Sequence, residues 1–177
     1  MQNEESLVRR AQQHDEEAFT QLYEEYFDKI YRYVALKIGD RMEAEDITQQ
    51  VFLNAIKAIT SFRWRGVPFS SWLFRIAHNQ VVDHLRNKAK RATVPLEESL
   101  VASNDNPQLT VEQKLDIEQL NSAAKRLTPA QQEVISLRFA GEMSIAQAAN
   151  VMGKSEGAIK ALQHSAIVAL RKVLSVA

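Results

Sequence analysis

The last fifty residues carry a set of helix start and stop signals that few folds can satisfy. Thr128 precedes Pro129 and stands three residues before Gln131, the spacing of a helix-capping box. Ser144 and Gln147 repeat that box, and Gly141 and Gly153 are placed to end the helices before and after it. Ser155 can then cap a final, longer helix, to about Leu174. A short helix, a tight turn with glycine and a longer helix predict a helix-turn-helix.

The N-terminal half is also helical by its apolar spacing. Asp15 can cap a helix that runs to about Ile38, and Asp40 can start a second one that ends near residues 60–61. We expect Ser70 or Ser71 to cap a third helix, from Trp72 to about residue 90. Residues expected in the core of the second and third helices are Ile47, Val51, Leu53, Ile56, Leu73, Ala77, Val81 and Leu85.

The stretch between these halves lacks a sustained apolar period. It contains Pro95, Pro107 and the polar cluster 104–106, and a helix is expected to resume near Val111 and to run to Arg126. We therefore predict an all-α protein of two small helical domains, residues 1–91 and 112–177, joined by a flexible linker at 92–111. Only five glycines and four prolines in 177 residues agree with helices.

Composition excludes several classes of function. The chain has no cysteine, which rules out disulfides, iron–sulfur clusters and thiol catalysis. The four histidines lack metal-ligand spacing, and no phosphate loop or dinucleotide motif is present, so we expect no catalytic residue, metal or cofactor. The acidic N-terminus is no secretory signal, and no apolar run reaches the roughly 18 residues that span a bilayer. A cytoplasmic location without membrane insertion is expected.

A net charge of zero conceals four alternating blocks. Residues 1–62 hold 7 basic and 12 acidic side chains, and residues 63–92 hold 7 and 1. Residues 93–152 hold 4 and 8, and residues 153–177 hold 4 and 1. The two basic blocks could meet a polyanion, or they could simply be solvated faces.

Both basic blocks have features suited to nucleic acid. The final helix has one apolar face, and the opposite face carries Lys160 and Arg171, with Gln163 and His164 at its flank. In the other block, residues 62–72 interleave aromatic and basic side chains, as single-strand binders do. Trp64 and Trp72 could equally be core residues.

Three segments together resemble the extracytoplasmic-function (ECF) sigma factors of the sigma-70 superfamily. Residues 42–53 resemble the polymerase-binding helix, and residues 68–79 with 82–86 resemble the promoter-melting, −10-reading segment. Residues 127–162 resemble the −35-reading helix-turn-helix. The resemblance covers residues 15–91 and 111–174.

That resemblance implies a function and a set of partners. The chain would bind the clamp and flap regions of core RNA polymerase, read −35 duplex and −10 single-stranded promoter DNA, and assist melting. An anti-sigma factor is a further expected partner. The implied polymerase-binding residues are Asp46, Gln49, Gln50, Phe52 and Asn54. The implied −10 residues are Phe62, Arg63, Trp64, Arg65, Phe69, Trp72, Arg75, Asn79 and Arg86. The implied −35 residues are Ser155, Glu156, Gly157, Lys160, Ala161, Gln163, His164 and Arg171. Without polymerase, the two readers are expected to have no fixed spacing.

Three alternatives stay open from the residues alone. A helix-turn-helix repressor or activator would explain the last fifty residues but not the aromatic and basic block. A metal-dependent nuclease could use Glu43, Glu45 and Asp46, although adjacent carboxylates diverge by about 100° on a helix. A protein-binding adaptor would show no salt-sensitive affinity for DNA.

Overall fold

The computed structural model describes residues 3–65, 67–91 and 122–175, and the regular elements within these ranges are all helical. The predicted all-α class is confirmed. The whole 92–111 linker and most of the helix expected from Val111 lie outside the described residues, and residues 122–124, at the end of that helix, are helical. The helices are α1 (Glu4–Gln12), α2 (Glu16–Ile38), α3 (Arg41–Ala58), α4 (Phe69–Arg91), α5 (Pro129–Ile135), α6 (Ile145–Met152) and α7 (Glu156–Ser175).

Local capping explains where α2 and α3 begin. The Asp15 carboxylate accepts from the backbone N–H groups of Glu17 and Ala18, and Arg10 holds the pKa of Asp15 below its usual value. Asp40 likewise accepts from the N–H of Glu43. These starts agree with the sequence prediction, because a cap is a short-range feature.

Two features of the N-terminal domain differ from the prediction: an extra helix and a shifted helix start. Helix α1 was not expected. Asn3 caps it, and its residues Val8 and Ala11 are buried. α4 begins at Phe69 rather than at Trp72, so Ser70 and Ser71 are buried residues of its first turn and not caps. Pro68 lies just outside this start, and its carbonyl accepts from the Trp72 N–H.

The second domain follows the predicted punctuation. Both capping boxes form, at Thr128 with Gln131 and at Ser144 with Gln147. Gly153 ends α6 with a φ of +64°, which a glycine adopts without steric cost. Between α5 and Gly141 the helix widens into a five-residue π segment, Ser136–Ala140, which the sequence did not predict.

The two domains pack directly against each other, so the expectation of no fixed spacing differs from the structure. The π segment contacts α2, and α6 contacts α4. At Gly141 the backbone approaches so closely that an added Cβ would lie 2.9 Å from Cε1 of Phe74. One apolar core therefore continues from the first domain into the second.

Candidate nucleic-acid interface

The loop before α4 is built on buried aromatic rings. Phe62 is 3% exposed and Phe69 is 2% exposed, and their ring centroids lie 5.7 Å apart. The side-chain amide of Gln12, on α1, donates to the carbonyl of Phe62 at 2.9 Å and fixes the start of the loop. The fold encloses both rings, so neither is open to solvent in this structure, and their predicted contact with DNA stays a prediction.

The two tryptophans rest on this buried platform. Trp64 is 38% exposed and packs edge-on against Phe62, with 5.0 Å between ring centroids. Trp72 is partly buried and lies 5.3 Å from the Phe62 ring. A base can therefore reach Trp64 from solvent, whereas Trp72 offers only part of its surface.

The basic residues of the loop divide into two kinds. The guanidinium of Arg63 donates to the carbonyls of Thr60 and Phe62. Its hydrogen bonds stabilise the end of the short 3-10 helix at Ile59–Ser61. Arg65 has an exposed side chain.

On α4, Arg75, Asn79 and Arg86 are exposed and follow Trp72 along one face. Arg86 lies 3.8 Å from Asp83, an exposed pair. Leu85, expected in the core, is 43% exposed.

The outer face of α7 agrees with the prediction in most positions. Ile159 and Ala166 are buried, and the opposite side is open to solvent. Ser155 accepts from the Ala158 N–H and so caps the helix. The exposed predicted residues are Ser155, Glu156, Gly157, Lys160, Ala161, His164 and Arg171. Gln163 differs, because it is half-buried and its Oε1 accepts from Nε of Arg138 at 2.7 Å. This hydrogen bond joins α7 to the π segment of the same domain.

The predicted polymerase-binding residues on α3 do not all share one environment. Asp46, Gln49 and Gln50 are exposed, and Gln50 donates to half-buried Asn54 at 2.9 Å. Phe52 is 5% exposed and packs against Tyr23, with 4.8 Å between ring centroids, so in this structure it belongs to the core and its predicted contact with polymerase stays a prediction.

Two residues on that surface were placed in the core by mistake. Leu53 is 52% exposed and Ile56 is 49% exposed. They follow Gln49 by four and seven residues and so share its side of the helix. The sequence does contain a sign of an apolar surface here, because α3 has more apolar residues than one buried face can hold.

A buried polar cluster joins the two domains, and no local sequence pattern predicted it. Glu133 on α5 accepts from the hydroxyl of Tyr33 at 2.8 Å and forms an ion pair with Lys37, and both partners lie on α2. His78 Nδ1, on α4, lies 3.4 Å from Glu133 Oε1. Burial lowers the pKa of Lys37 to about 8, and burial together with Lys37 lowers that of His78.

Comparison with known proteins agrees with this architecture. Residues 22–91 match Sigma-70 region 2, and residues 123–172 match Sigma-70 region 4. The chain is 41% identical, over 95% of its length, to the ECF RNA polymerase sigma factor BldN of Streptomyces coelicolor, of which it spans 64%. It is 29% identical to the ECF sigma factor SigW of Bacillus subtilis, over 94% of each chain.

Solved structures show the same fold. CnrH, solved in complex with the cytosolic domain of CnrY, aligns with a TM-score of 0.73 at 23% identity over 96% of each chain. The sigma factor RpoE of Bartonella quintana, solved with the anti-sigma factor NepR, aligns with a TM-score of 0.70 at 24% identity, covering 89% of this chain and 97% of RpoE.

Regions 2 and 4 in one chain, helical throughout the regular elements that the structure describes, define a sigma-70-type transcription initiation factor. The chain belongs to the ECF RNA polymerase sigma factors. Among the described helices, none is both long enough and apolar enough to cross a bilayer.

Proposed function

We propose that this chain binds core RNA polymerase in the cytoplasm, recognises −35 and −10 promoter elements and helps to melt the promoter. The observation that carries the proposal is that the two matched sigma regions expose two different surfaces with basic side chains. One surface, on the region 2 domain, exposes Trp64 beside Arg65, Arg75 and Arg86. The other, on the region 4 domain, exposes Lys160 and its neighbours on α7.

The first surface suits unpaired bases. Opening a base step costs a few kcal/mol, and stacking a free base on an aromatic ring returns about 1–3 kcal/mol. An indole open to solvent and flanked by guanidinium groups provides both stacking and charge for one flipped base. The chain needs no catalytic group for this work, and we assign it no enzymatic activity.

The second surface suits duplex DNA. The N-terminal half of α7 presents Gly157 and Ala161, whose small side chains let the backbone approach base edges. Lys160 and His164 lie on the same exposed face and can contact phosphates or bases. This is the arrangement of a recognition helix in a major groove.

The α3 face is the proposed contact with the polymerase clamp. Leu53 and Ile56 supply apolar area, and Asp46, Gln49 and Gln50 surround it with hydrogen-bonding groups. A partly apolar centre with a polar rim is typical of protein interfaces. The exposed Phe139 ring gives the region 4 domain an apolar site for the polymerase flap. An anti-sigma factor would compete for these same faces.

The test is transcription reconstituted from core RNA polymerase, the full chain and fragments of the source genome. We expect transcript 5′ ends to cluster downstream of a shared pair of sequence elements, and to vanish when the chain is left out. Random initiation at every ratio of chain to core would contradict the proposal.

Two exposed leucines give a matched control for polymerase binding. Leu53→Ser removes the centre of the proposed clamp contact, and Leu85→Ser removes a leucine of similar exposure on α4. Loss of an interface centre costs about 1–3 kcal/mol, so Leu53→Ser should weaken core binding by roughly tenfold or more. Leu85→Ser should bind core as the wild type does; equal losses in both variants would place the contact elsewhere.

A further inference from the structure

Helix α1 precedes the residues that match Sigma-70 region 2, which begin at residue 22, but it packs against the short 3-10 helix that leads into the loop before α4. Gln12, the last residue of α1, is half-buried at this junction. Its side-chain amide nitrogen donates to the carbonyl of Ile59 at 3.0 Å and to the carbonyl of Phe62 at 2.9 Å. One side chain therefore joins α1 to both ends of the turn from which the loop begins.

These two hydrogen bonds replace partners that a longer helix would have supplied. The last carbonyls of a helix have no partner within it, and the 3-10 helix ends at Ser61. An amide NH2 group carries two donors, so a single glutamine can satisfy two such carbonyls. Among the hydrogen bonds between described residues, those of Gln12 are the ones that tie residues 59–65 to α1.

The first turn of α1 supports the same aromatic rings from a second direction. Glu4 accepts from the hydroxyl of Tyr26, and the Tyr26 ring lies edge-on to Phe69, with 5.7 Å between ring centroids. Phe69 in turn packs against Phe62. Glu4 and Gln12 are the first and last residues of a nine-residue helix, about 12 Å apart along its axis. The rings beneath the loop are therefore held at two points of one helix.

We infer that Gln12 is a positioning residue for promoter melting: by holding the carbonyl of Phe62, it fixes Trp64 where an unpaired base can stack on it. The Phe62 ring is the surface against which Trp64 packs, with 5.0 Å between ring centroids. A displaced Phe62 backbone would carry Trp64, two residues further on, with it. The inference rests on the proposed function for its meaning in transcription, but the hold on the loop can be measured without DNA or polymerase.

A fixed ring binds a base more tightly than a mobile one. An indole that is 38% exposed loses conformational freedom when a base stacks on it, and that loss weakens binding. When Gln12 and Phe62 already restrict the ring, much of this freedom is gone before the base arrives, which is the general benefit of a pre-organised site. Gln12 acts through Trp64 and does not itself touch DNA.

The first experiment follows Trp64 in the free, full-length chain. The chain has two tryptophans, so Trp72→Phe leaves Trp64 as the one indole that fluoresces. In that background, Gln12→Glu keeps the shape of the side chain but replaces both N–H donors by a carboxylate oxygen. The control is Gln13→Glu, the same charge change at the exposed neighbouring residue.

We expect acrylamide to quench Trp64 about 1.5- to 2-fold more strongly in the Gln12→Glu protein than in the Gln13→Glu protein, because the loop opens locally. Equal quenching in the two proteins would overturn the hold of Gln12 on the loop.

Gln12→Met covers the case in which circular dichroism shows that the Gln12→Glu protein has lost helix. Methionine is as long as glutamine and has no N–H donor, so it removes both hydrogen bonds without adding charge. The Gln12→Met protein should again be quenched about 1.5-fold more strongly than its control, Gln13→Met. No difference between these two proteins would refute the inference.

The second experiment measures promoter opening by the holoenzyme of core RNA polymerase and the full chain. Permanganate reactivity of unpaired thymines gives the rate of opening on a promoter that the wild-type holoenzyme uses. Gln12→Glu should slow opening about 5- to 100-fold relative to Gln13→Glu, the equivalent of two lost hydrogen bonds. Both variants should bind core polymerase equally. Equal opening rates, with the quenching changed, would contradict the role in melting.

A double variant shows whether Gln12 acts through Trp64. Trp64→Ala removes the ring, so adding Gln12→Glu to it should slow opening by less than about twofold further. The full loss on top of Trp64→Ala would show a merely structural role and would overturn the positioning. If the wild-type holoenzyme opens no promoter, the proposed function fails together with the role in melting, and the quenching result still decides whether Gln12 holds the loop.

Discussion

The two surfaces that we propose face DNA differ in the structural support that they need. The loop before α4 exposes one tryptophan and keeps two phenylalanines beneath it, whereas α7 contains no Phe, Tyr or Trp and exposes small and basic side chains. A ring that holds an unpaired base must itself be held in place, and Phe62 does this for Trp64. A recognition helix needs only a flat face and a well-packed back.

The largest effect should come from the buried half of the aromatic cluster. Phe69→Ala is expected to lower the free energy of unfolding by about 3–5 kcal/mol, because it empties a fully enclosed site. Urea unfolding followed by circular dichroism measures this. The control is Phe139→Ala, at a ring that is 56% exposed, which should change stability little. A Phe69→Ala variant as stable as wild type would show that the ring has no structural role.

Trp64→Ala separates melting from folding. It should leave the unfolding midpoint nearly unchanged but lower transcription from duplex promoters by about 5- to 100-fold, the equivalent of one lost stacking contact. Templates with a pre-opened bubble should lose less. The measurement is the rate of open-complex formation on both templates, and equal losses on the two would argue against a melting role.

Lys160→Ala tests the proposed contact of α7 with duplex DNA. Losing one phosphate contact should lower the slope of log affinity against log salt by about 0.9, and should weaken binding to a −35 duplex a few-fold. Fluorescence anisotropy over a salt series gives the slope. Lys57→Ala, at an exposed lysine on α3, should leave it unaltered; equal slopes for all three proteins would place Lys160 away from phosphate.

The smallest effect concerns pH. His78 faces Tyr33, Lys37 and Glu133, and its pKa is lowered by burial and by Lys37. His78 therefore binds a proton more readily in the unfolded chain than in the folded one. The free energy of unfolding should fall as the pH drops below about 6.5, the ordinary pKa of histidine, until the pH passes the lower pKa of His78 in the folded chain. His78→Gln should flatten this part of the profile in denaturant midpoints measured from pH 7.5 to 5. His164→Gln, at an exposed site, should keep the wild-type profile.

Sequence reasoning succeeded where the cause was local. The caps at Asp15, Asp40, Thr128 and Ser144 depend on neighbours within a few residues, and all four were predicted. Sequence reasoning failed where the packing of one helix on another decides which side chains are buried. Whether Phe52 or Leu53 faces the core depends on which side of α3 meets α2 and α4, and both residues are equally apolar.

The interface between the domains was beyond such reasoning for the same cause. Glu133 and Tyr33 are separated by 100 residues, and no periodicity connects them. A glutamate near the start of a helix is usually solvent-exposed, and its negative charge interacts favourably with the helix dipole. Only the assembled fold shows that this one is enclosed.

Gly141 has a consequence for how such a factor could change over generations. Its backbone angles, φ −79° and ψ −10°, are open to any amino acid, so the space beside Phe74 is what demands glycine. A substitution that adds even a methyl group would act as a wedge between the domains and would also press on the Leu137 carbonyl. Every glycine codon is one nucleotide from an alanine codon. A single base change in the gene is therefore enough to disturb the packing between the two domains.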